Sequence, residues 1–151
     1  MKLTTLVYIE NDGAFLMLHR NVKPNDANAN KYIGIGGKLN RGESPKECIL
    51  REIKEECGLS VRNLTCKGII TFILPKWEDE LCFLYTATSN TRNVSRCDEG
   101  ELSWVNKEDI LNLNLWEGDP YFLKPLLQCS DFIECKLMYD NNDNLVNVEM
   151  V

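Results

Sequence analysis

The sequence predicts an α+β fold in which a mixed β-sheet is accompanied by a few helices. Short apolar and β-branched runs separated by turn residues recur along the chain, which is typical of strands. One segment, residues 44–58, instead has the apolar spacing and the end signals of a helix. Because 151 residues is the size of one domain and no repeat or linker divides the chain, we expect a single domain over residues 1–151.

The first part of the chain is predicted to form strands around a polar loop. A β-hairpin is expected over residues 4–19, because Asn11-Asp12-Gly13 is a turn sequence between two apolar runs. Residues 21–31 contain a proline and four asparagines, which indicates a loop. Residues 32–39 combine strand formers with three glycines, a mixture that marks a bulge, a sharp turn or close approach to a ligand.

The clearest helix is delimited at both ends. Ser44, Pro45 and Glu47 form a capping-box sequence at its start, and Gly58 stands where a left-handed residue ends a helix. An apolar stripe at helical spacing connects the two ends, formed by Ile49, Leu50, Ile53 and Cys57.

The second part of the chain is predicted to add strands and two short helices. We expect long strands over residues 64–74 and 80–88 around a turn, a short strand over 102–105 and a C-terminal hairpin over 132–139 and 145–150. A short helix is predicted over 107–112. A second helix is predicted from Asp119 as N-cap and Pro120 to about Gln128, although Pro125 removes one of its hydrogen bonds.

The charge balance limits the possible partners. Lys and Arg number 17 against 23 Asp and Glu, so the formal net charge of −6 does not suit a protein that grips a nucleic acid polymer. It allows a small anionic ligand held through a divalent cation. No apolar run approaches the roughly 20 residues of a membrane span, and no signal peptide is visible, so no membrane partner is expected.

The cysteines and the histidine limit the possible metal chemistry. The seven cysteines are scattered without a C-x-x-C pair, and His19 is the single histidine, so neither a disulfide framework nor a zinc site is indicated. Scattered cysteines are typical of small buried side chains in a reducing compartment. We therefore expect a cytoplasmic protein.

Three glutamates of the predicted helix share one face. Glu52, Glu55 and Glu56 lie at spacing i, i+3 and i+4, and on the helix alone a solvated acidic surface explains them well. The glycines ahead of the helix add a second component, since Gly36 and Gly37 allow a backbone carbonyl to approach the carboxylates. Oxygen ligands of this kind suit Mg²⁺ or Mn²⁺, and magnesium shares its coordination with phosphate oxygens. The arrangement therefore predicts a metal-dependent site for a di- or triphosphate.

Residues 37–59, GKLNRGESPKECILREIKEECGL, fill every defined position of the pattern G-x5-E-x7-R-E-U-x-E-E-x-G-U, with Ile53 and Leu59 at the positions marked U. This pattern is the Nudix box, so the chain resembles the Nudix hydrolase family. The resemblance implies the Nudix fold, a mixed β-sheet sandwiched between helices (α/β/α). It also implies Mg²⁺-dependent hydrolysis of a nucleoside diphosphate linked to another moiety.

The resemblance also implies roles within the box. The implied metal ligands are Glu52, Glu55 and Glu56 together with a carbonyl of Gly36 or Gly37. Arg51 would orient the glutamates through ion pairs, and Glu43 would brace the loop. One of the carboxylates would activate the attacking water.

Residues outside the box resemble the branch of the family that hydrolyses oxidised purine nucleoside triphosphates such as 8-oxo-dGTP. The run 31–38 resembles the segment that precedes the box in that branch, and Asp98-Glu99 resembles an acidic loop in which Glu99 supplies another metal-site glutamate. Trp116-Glu117-Gly118-Asp119 resembles a segment that stacks on the purine and hydrogen-bonds it. The implied substrate contacts are Thr5, His19, Ile33, Gly34, Ile35, Gly36, Gly37, Lys38, Trp116, Glu117, Gly118 and Asp119. The implied role is to remove damaged nucleotides before they reach DNA.

Several alternatives stay open at this stage. Ile33 stands where mammalian-type enzymes of this branch carry an asparagine that contacts the base, and Tyr32 replaces the usual tryptophan. Trp116 could be ordinary core packing, and Asp119 could serve only as an N-cap. A general nucleoside triphosphate pyrophosphatase is the main rival, ahead of an enzyme acting on RNA ends. A non-catalytic nucleotide-binding module would usually have lost box glutamates, which are all present here. Monomer and homodimer are equally compatible with the sequence.

Overall fold

A computed structural model describes residues 1–129 and 131–151 of the chain. In chain order its elements are β1 (Lys2–Asn11), β2 (Ala14–His19), β3 (Tyr32–Ile33), β4 (Ile35–Lys38), α1 (Pro45–Glu56), β5 (Arg62–Ile73), β6 (Glu80–Thr88), β7 (Glu101–Asn106), a 3₁₀-helix (Lys107–Asn112), α2 (Pro120–Leu127), β8 (Ile133–Tyr139) and β9 (Leu145–Met150). No helix within the described residues is long and apolar enough to cross a membrane.

The strands join one mixed sheet, as predicted. The order is β3-β2-β1-β6-β5-β8-β9, with β4 beside β1 and β7 beside β2. The β1/β6 and β5/β8 pairs are parallel, whereas the other pairs are antiparallel. This arrangement confirms the α+β class.

The glycine-rich segment separates the first two strands. β1 and β2 pair at only two positions next to their turn, and beyond these β3 pairs with β2 while β4 pairs with β1. A side-chain carbon on Gly34, between β3 and β4, would lie 2.5 Å from the carbonyl oxygen of Val7. The hairpin predicted over residues 4–19 is therefore limited to its turn end. At Gly34 the close approach is to the backbone of β1.

The sheet has a core on each face, because side chains alternate along each strand. On one face, Val7 and Ile9 of β1 pack in the cluster that contains Ile49 and Ile53 of α1. On the other face, Tyr8 packs in the cluster that contains three residues of α2, Phe122, Leu123 and Leu126. The sheet is thus sandwiched between α1 and α2, which confirms the predicted α/β/α arrangement.

The ends of α1 follow from the predicted caps. The Ser44 hydroxyl accepts from the Glu47 amide at 3.1 Å, and the Glu47 carboxylate accepts from the Ser44 amide at 3.0 Å. Gly58 adopts φ +72°, the left-handed conformation expected after the last turn. These caps fix where α1 begins and ends, and the packing of Ile49 and Ile53 fixes which face turns towards the sheet.

Candidate active site

Arg51 connects α1 to the loop that precedes it. Its guanidinium makes a two-pronged contact with Glu43, at 2.7 Å from Nε to Oε2 and 3.0 Å from Nη2 to Oε1. It also donates to Glu52 at 2.7 Å, to Glu55 at 3.2 Å and to the carbonyl of Lys38 at 3.1 Å. Hydrogen bonds from Arg51 lower the pKa of Glu43, and bonds to Glu43 and Glu52 raise the pKa of Arg51. This contact set matches the orienting role implied for Arg51 and the bracing role implied for Glu43.

Substituting Arg51 with lysine is expected to loosen this junction. Lysine keeps the charge but cannot reproduce the planar two-pronged contact with Glu43 while also reaching the Lys38 carbonyl. We expect Arg51→Lys to lower the free energy of unfolding by about 1–2 kcal/mol, measured by urea denaturation. Arg41→Lys, at an exposed position of the same loop, is the matched control and should unfold like the wild type. Equal urea midpoints for wild type and Arg51→Lys would contradict the role given to Arg51.

Gly37 and Gly36 differ in their contacts with neighbouring elements. The Gly37 carbonyl oxygen lies 3.4 Å from the Thr5 hydroxyl and 3.7 Å from the Cys48 thiol, both of which donate to it. Gly36 lies opposite Leu6 in the β1/β4 register. Leu39 donates to the carbonyl of Leu3 at 3.0 Å, so these two residues form a hydrogen-bonded pair. Hydrogen-bonded and non-hydrogen-bonded pairs alternate along an antiparallel ladder, which puts Gly36, three residues from Leu39, in a non-hydrogen-bonded pair. The backbone at Gly36 approaches β1 closely, since a side-chain carbon there would overlap the carbonyl oxygen of Thr5.

Gly37 lies directly against a carboxylate of α1. A side-chain carbon at Gly37 would be 2.5 Å from Oε1 of Glu52, so only glycine lets the strand pass this close to the helix. The glycine contact and Arg51 together hold the Glu52 carboxylate at the junction of β4 and α1. The close approach predicted for the glycines and the glutamates is thus present.

Glu56 is the buried member of the glutamate group. It is 8% exposed, and its Oε2 has no hydrogen-bond partner within residues 1–129 and 131–151. Burial, and then the charge of Glu52, raise the pKa of Glu56 to about 8. A buried carboxylate oxygen without a partner is costly. The donor set here consists of oxygen atoms alone, which is the chemistry that suits a hard divalent cation.

Glu99 is held by cations rather than by the helix glutamates. Its carboxylate lies 3.1 Å from Arg20 and 3.7 Å from Lys23, and Arg20 also donates to Asp26 at 2.8 Å. Its charge still contributes to the raised pKa of Glu56, so the two groups are electrostatic neighbours. In the described part of the chain no three His, Cys, Asp or Glu side chains converge at metal-ligating distance. Arg51 and Arg20 engage Glu52, Glu55 and Glu99 instead.

A cavity of about 270 Å³ extends between β4 and α2. It contains seven of the predicted substrate contacts, namely Thr5, Ile33, Gly36, Gly37, Lys38, Trp116 and Asp119. Residues that sequence reasoning missed also line it, among them Thr4, Arg20, Asn28, Glu80 and Cys82. The cavity therefore extends from the face of the sheet that packs on α2 to β4, the strand that contacts Glu52.

Five predicted contacts do not line this cavity: His19, Gly34, Ile35, Glu117 and Gly118. His19 stacks on Tyr32, its partner in the β2/β3 register, with ring centres 4.2 Å apart, and it hydrogen-bonds Asn30 at 2.9 Å. Gly118 donates its amide to the Tyr139 hydroxyl at 2.8 Å. The remaining three have structural partners as well: Gly34 abuts Val7, Ile35 belongs to the α1 core, and Glu117 accepts from the Leu145 amide.

Trp116 belongs both to the core and to the cavity wall. It is 7% exposed and makes an edge contact with Tyr139, with ring centres 5.1 Å apart. Its indole nitrogen donates to Asn28 at 2.8 Å, and the Lys31 ammonium lies 5.7 Å from its ring centre. Core packing therefore accounts for part of its burial, and the ring is held rigidly beside the cavity.

Asp119 is a buried acid at the start of α2. It is 4% exposed and stands at the predicted N-cap position, but it has helical dihedral angles and its side chain makes no capping bond. Burial raises its pKa to about 8, with Lys31 opposing the shift. The raised pKa favours the protonated carboxyl group, which can donate one hydrogen bond and accept another.

The fold and the site define a protein of the Nudix class. The NUDIX domain model matches residues 2–126, so the chain belongs to the NUDIX family. Within the family it is a Nudix hydrolase. The Nudix hydrolase YvcI of Bacillus subtilis is 30% identical over 124 residues, covering 79% of this chain and 78% of that protein. The oxidized purine nucleoside triphosphate hydrolase of Danio rerio is 29% identical over 133 residues, covering 87% and 83%.

The fold is also shared with a solved structure over almost its whole length. The mutator MutT protein of Bacillus halodurans superposes with a TM-score of 0.87 at 24% identity, covering 99% of this chain and 97% of that one. The likeness extends beyond the box to both faces of the sheet.

Proposed function

We propose that this hydrolase cleaves purine nucleoside triphosphates, including oxidised ones such as 8-oxo-dGTP, to the monophosphate and pyrophosphate. The observation that carries the proposal is the single cavity that joins the buried pair Trp116 and Asp119 to Gly36, Gly37 and Lys38 beside Glu52. A base enclosed by the first group would leave its phosphates next to the glutamates of α1. The similarity to an oxidized purine nucleoside triphosphate hydrolase supports the same substrate class.

Magnesium is the proposed cofactor, with manganese as a substitute. The buried, partnerless oxygen of Glu56 and the all-oxygen donor set favour a hard cation. The residues proposed to hold it are Glu52, Glu55, Glu56, Glu99 and the carbonyl of Gly36, since the Gly37 carbonyl already accepts two hydrogen bonds. When bound, Mg²⁺ lowers the pKa of a bound water and stabilises charge on the leaving phosphate.

The other roles in binding and catalysis belong to side chains of the protein. Lys38 offers a positive charge for a phosphate at the cavity wall, and a glutamate of α1 takes the proton of the attacking water. Trp116 supplies a rigid flat face, and stacking of a base on such a ring contributes roughly 1–3 kcal/mol in single-strand binders. Asp119 provides the donor and acceptor for the base edge. We also propose that the substrate is a free nucleotide, given the net charge of −6, and that the enzyme acts in the cytoplasm.

Pyrophosphate release with Mg²⁺ tests the proposal directly. We expect turnover of both 8-oxo-dGTP and dGTP, with kcat/KM about tenfold or more higher for the oxidised base if its extra hydrogen-bonding groups are matched. Equal values would contradict the oxidised-base preference and support a general nucleoside triphosphate pyrophosphatase, which the apolar Ile33 in the cavity wall favours. Failure to turn over either nucleotide would contradict the substrate class.

A further inference from the structure

Glu80 lies on the cavity face of the sheet, although nothing in its local sequence distinguishes it. It is the first residue of β6 and stands opposite Lys2 in the parallel β1/β6 register, two positions from the Thr4–Cys82 pair. Side chains two residues apart share a face, so Thr4, Glu80 and Cys82 lie on the same side as the Tyr8 core cluster and α2. All three line the cavity together with Asp119.

The Glu80 carboxylate is held in place by one neighbour. The Thr4 hydroxyl donates to Oε2 at 2.7 Å, and Thr4 itself is 7% exposed. Oε1 faces the Lys2 ammonium at 3.8 Å, which is longer than a hydrogen bond. The Glu80 side chain is 22% exposed, so a ligand in the cavity can reach a preoriented acceptor without ordering a free side chain.

We propose that Glu80 is a specificity-determining residue that accepts hydrogen bonds from the amine-bearing edge of a guanine-type base. The inference rests on the proposed function, because it assigns a further contact within the same cavity. A carboxylate only accepts hydrogen bonds, and the guanine edge presents two adjacent donors, N1–H and the exocyclic amine. Thymine and uracil present one N–H between two carbonyl oxygens, and a carboxylate repels these oxygens. Hypoxanthine keeps N1–H but lacks the amine.

Asp119 and Glu80 then have complementary tasks. The buried carboxyl group of Asp119 can donate and accept, whereas Glu80 can only accept, so together they match a base whose edges carry both acceptors and paired donors. Glu80 also contributes to keeping Asp119 protonated, because its negative charge opposes a second one in the same cavity.

Comparison of dGTP with dITP isolates this contact, because the two nucleotides differ only in the exocyclic amine. For the wild type we expect kcat/KM to be about ten- to one-hundred-fold higher for dGTP, the range of one hydrogen bond to a charged group. Glu80→Gln keeps an oxygen for the Thr4 hydroxyl but turns an N–H₂ donor towards the amine, so the ratio should approach one, with little change for dITP. Glu78→Gln is the matched control, since Glu78 is 56% exposed and pairs with the N-terminal ammonium. This variant should keep the wild-type ratio.

Two results would overturn the inference: a wild-type ratio near one, or a ratio unchanged in Glu80→Gln, as when both nucleotides lose kcat/KM equally. The inference would also be overturned if Glu80→Gln changed the kcat/KM ratio between GTP and dGTP, which differ in the sugar, instead of the ratio between dGTP and dITP. Binding of the α,β-imido analogues of dGTP and dITP, measured by calorimetry, separates this inference from the proposed hydrolysis. A wild type that cleaves neither nucleotide refutes the proposed function, while the affinity ratio of the analogues still decides the role of Glu80.

Discussion

Replacing Glu56 with glutamine is expected to abolish turnover while making the metal-free protein more stable. Loss of turnover follows from removing a negative ligand of the proposed magnesium, since several kcal/mol of charge stabilisation corresponds to about a thousandfold or more in kcat. The gain in stability follows from the burial of Glu56 and from the partnerless Oε2, because an uncharged amide can donate to the neighbouring Glu52 carboxylate. Opposite effects on activity and stability are typical of a group retained for function.

The pH dependence of stability provides the second measurement on this variant. The pKa of Glu56 is about 8 in the folded protein and near 4.5 in an unfolded chain, so the folded state binds the proton more tightly. The free energy of unfolding of the metal-free wild type should therefore fall as pH rises from about 4.5 through about 8. Glu56→Gln should lack this contribution. Glu134→Gln, at an exposed position of β8, is the control and should retain full activity and the wild-type pH profile. A Glu56→Gln variant with normal turnover would refute the metal-site proposal.

Local chemistry in the sequence was sufficient to predict α1 and the close approach of the glycine-rich strand to it. The capping box, the left-handed Gly58 and the glutamates at helical spacing each depend on residues within a few positions of one another. The glycines before the helix predicted close contact, and the structure shows Gly37 against Glu52. The resemblance to the Nudix box, rather than spacing, implied that Arg51 would pair with the glutamates, and its guanidinium donates to Glu52 and Glu55.

Long-range pairing explains what the sequence did not predict. Glu80 enters the cavity only because β6 pairs in parallel with β1, and no local pattern specifies which distant strand becomes the neighbour. The same limitation applies to His19, which stacks on Tyr32 because β3 pairs with β2. Arg20 reaches Glu99 because β2 pairs with β7, in which His19 stands opposite Glu101, so this contact also becomes visible only in the folded chain.

Raising the pH is expected to lower activity strongly through Asp119, because its proposed role requires the carboxyl group to stay protonated. Its pKa is about 8, so between neutral pH and about pH 9.5 the wild type should lose the donor and gain a buried negative charge. We expect kcat/KM for 8-oxo-dGTP to fall over this range. Asp119→Asn keeps a donor and an acceptor without a titrating proton. Asp119→Ala removes both and should lower kcat/KM by about ten- to one-hundred-fold at every pH.

In the metal-free protein Glu56 also titrates near pH 8, so the comparison of the wild type with Asp119→Asn is what isolates Asp119. Both proteins keep the pH dependence that Glu56 contributes, and only the wild type adds the loss that comes from deprotonation of Asp119. Stability gives a readout that does not depend on catalysis. Since the folded-state pKa of Asp119 is raised from 3.8, the wild type should lose stability relative to Asp119→Asn as pH rises from about 4 through about 8. Superimposable rate and stability profiles for the two proteins would mean that Asp119 carries no titrating proton, and the donor assigned to the base edge would have to come from another group.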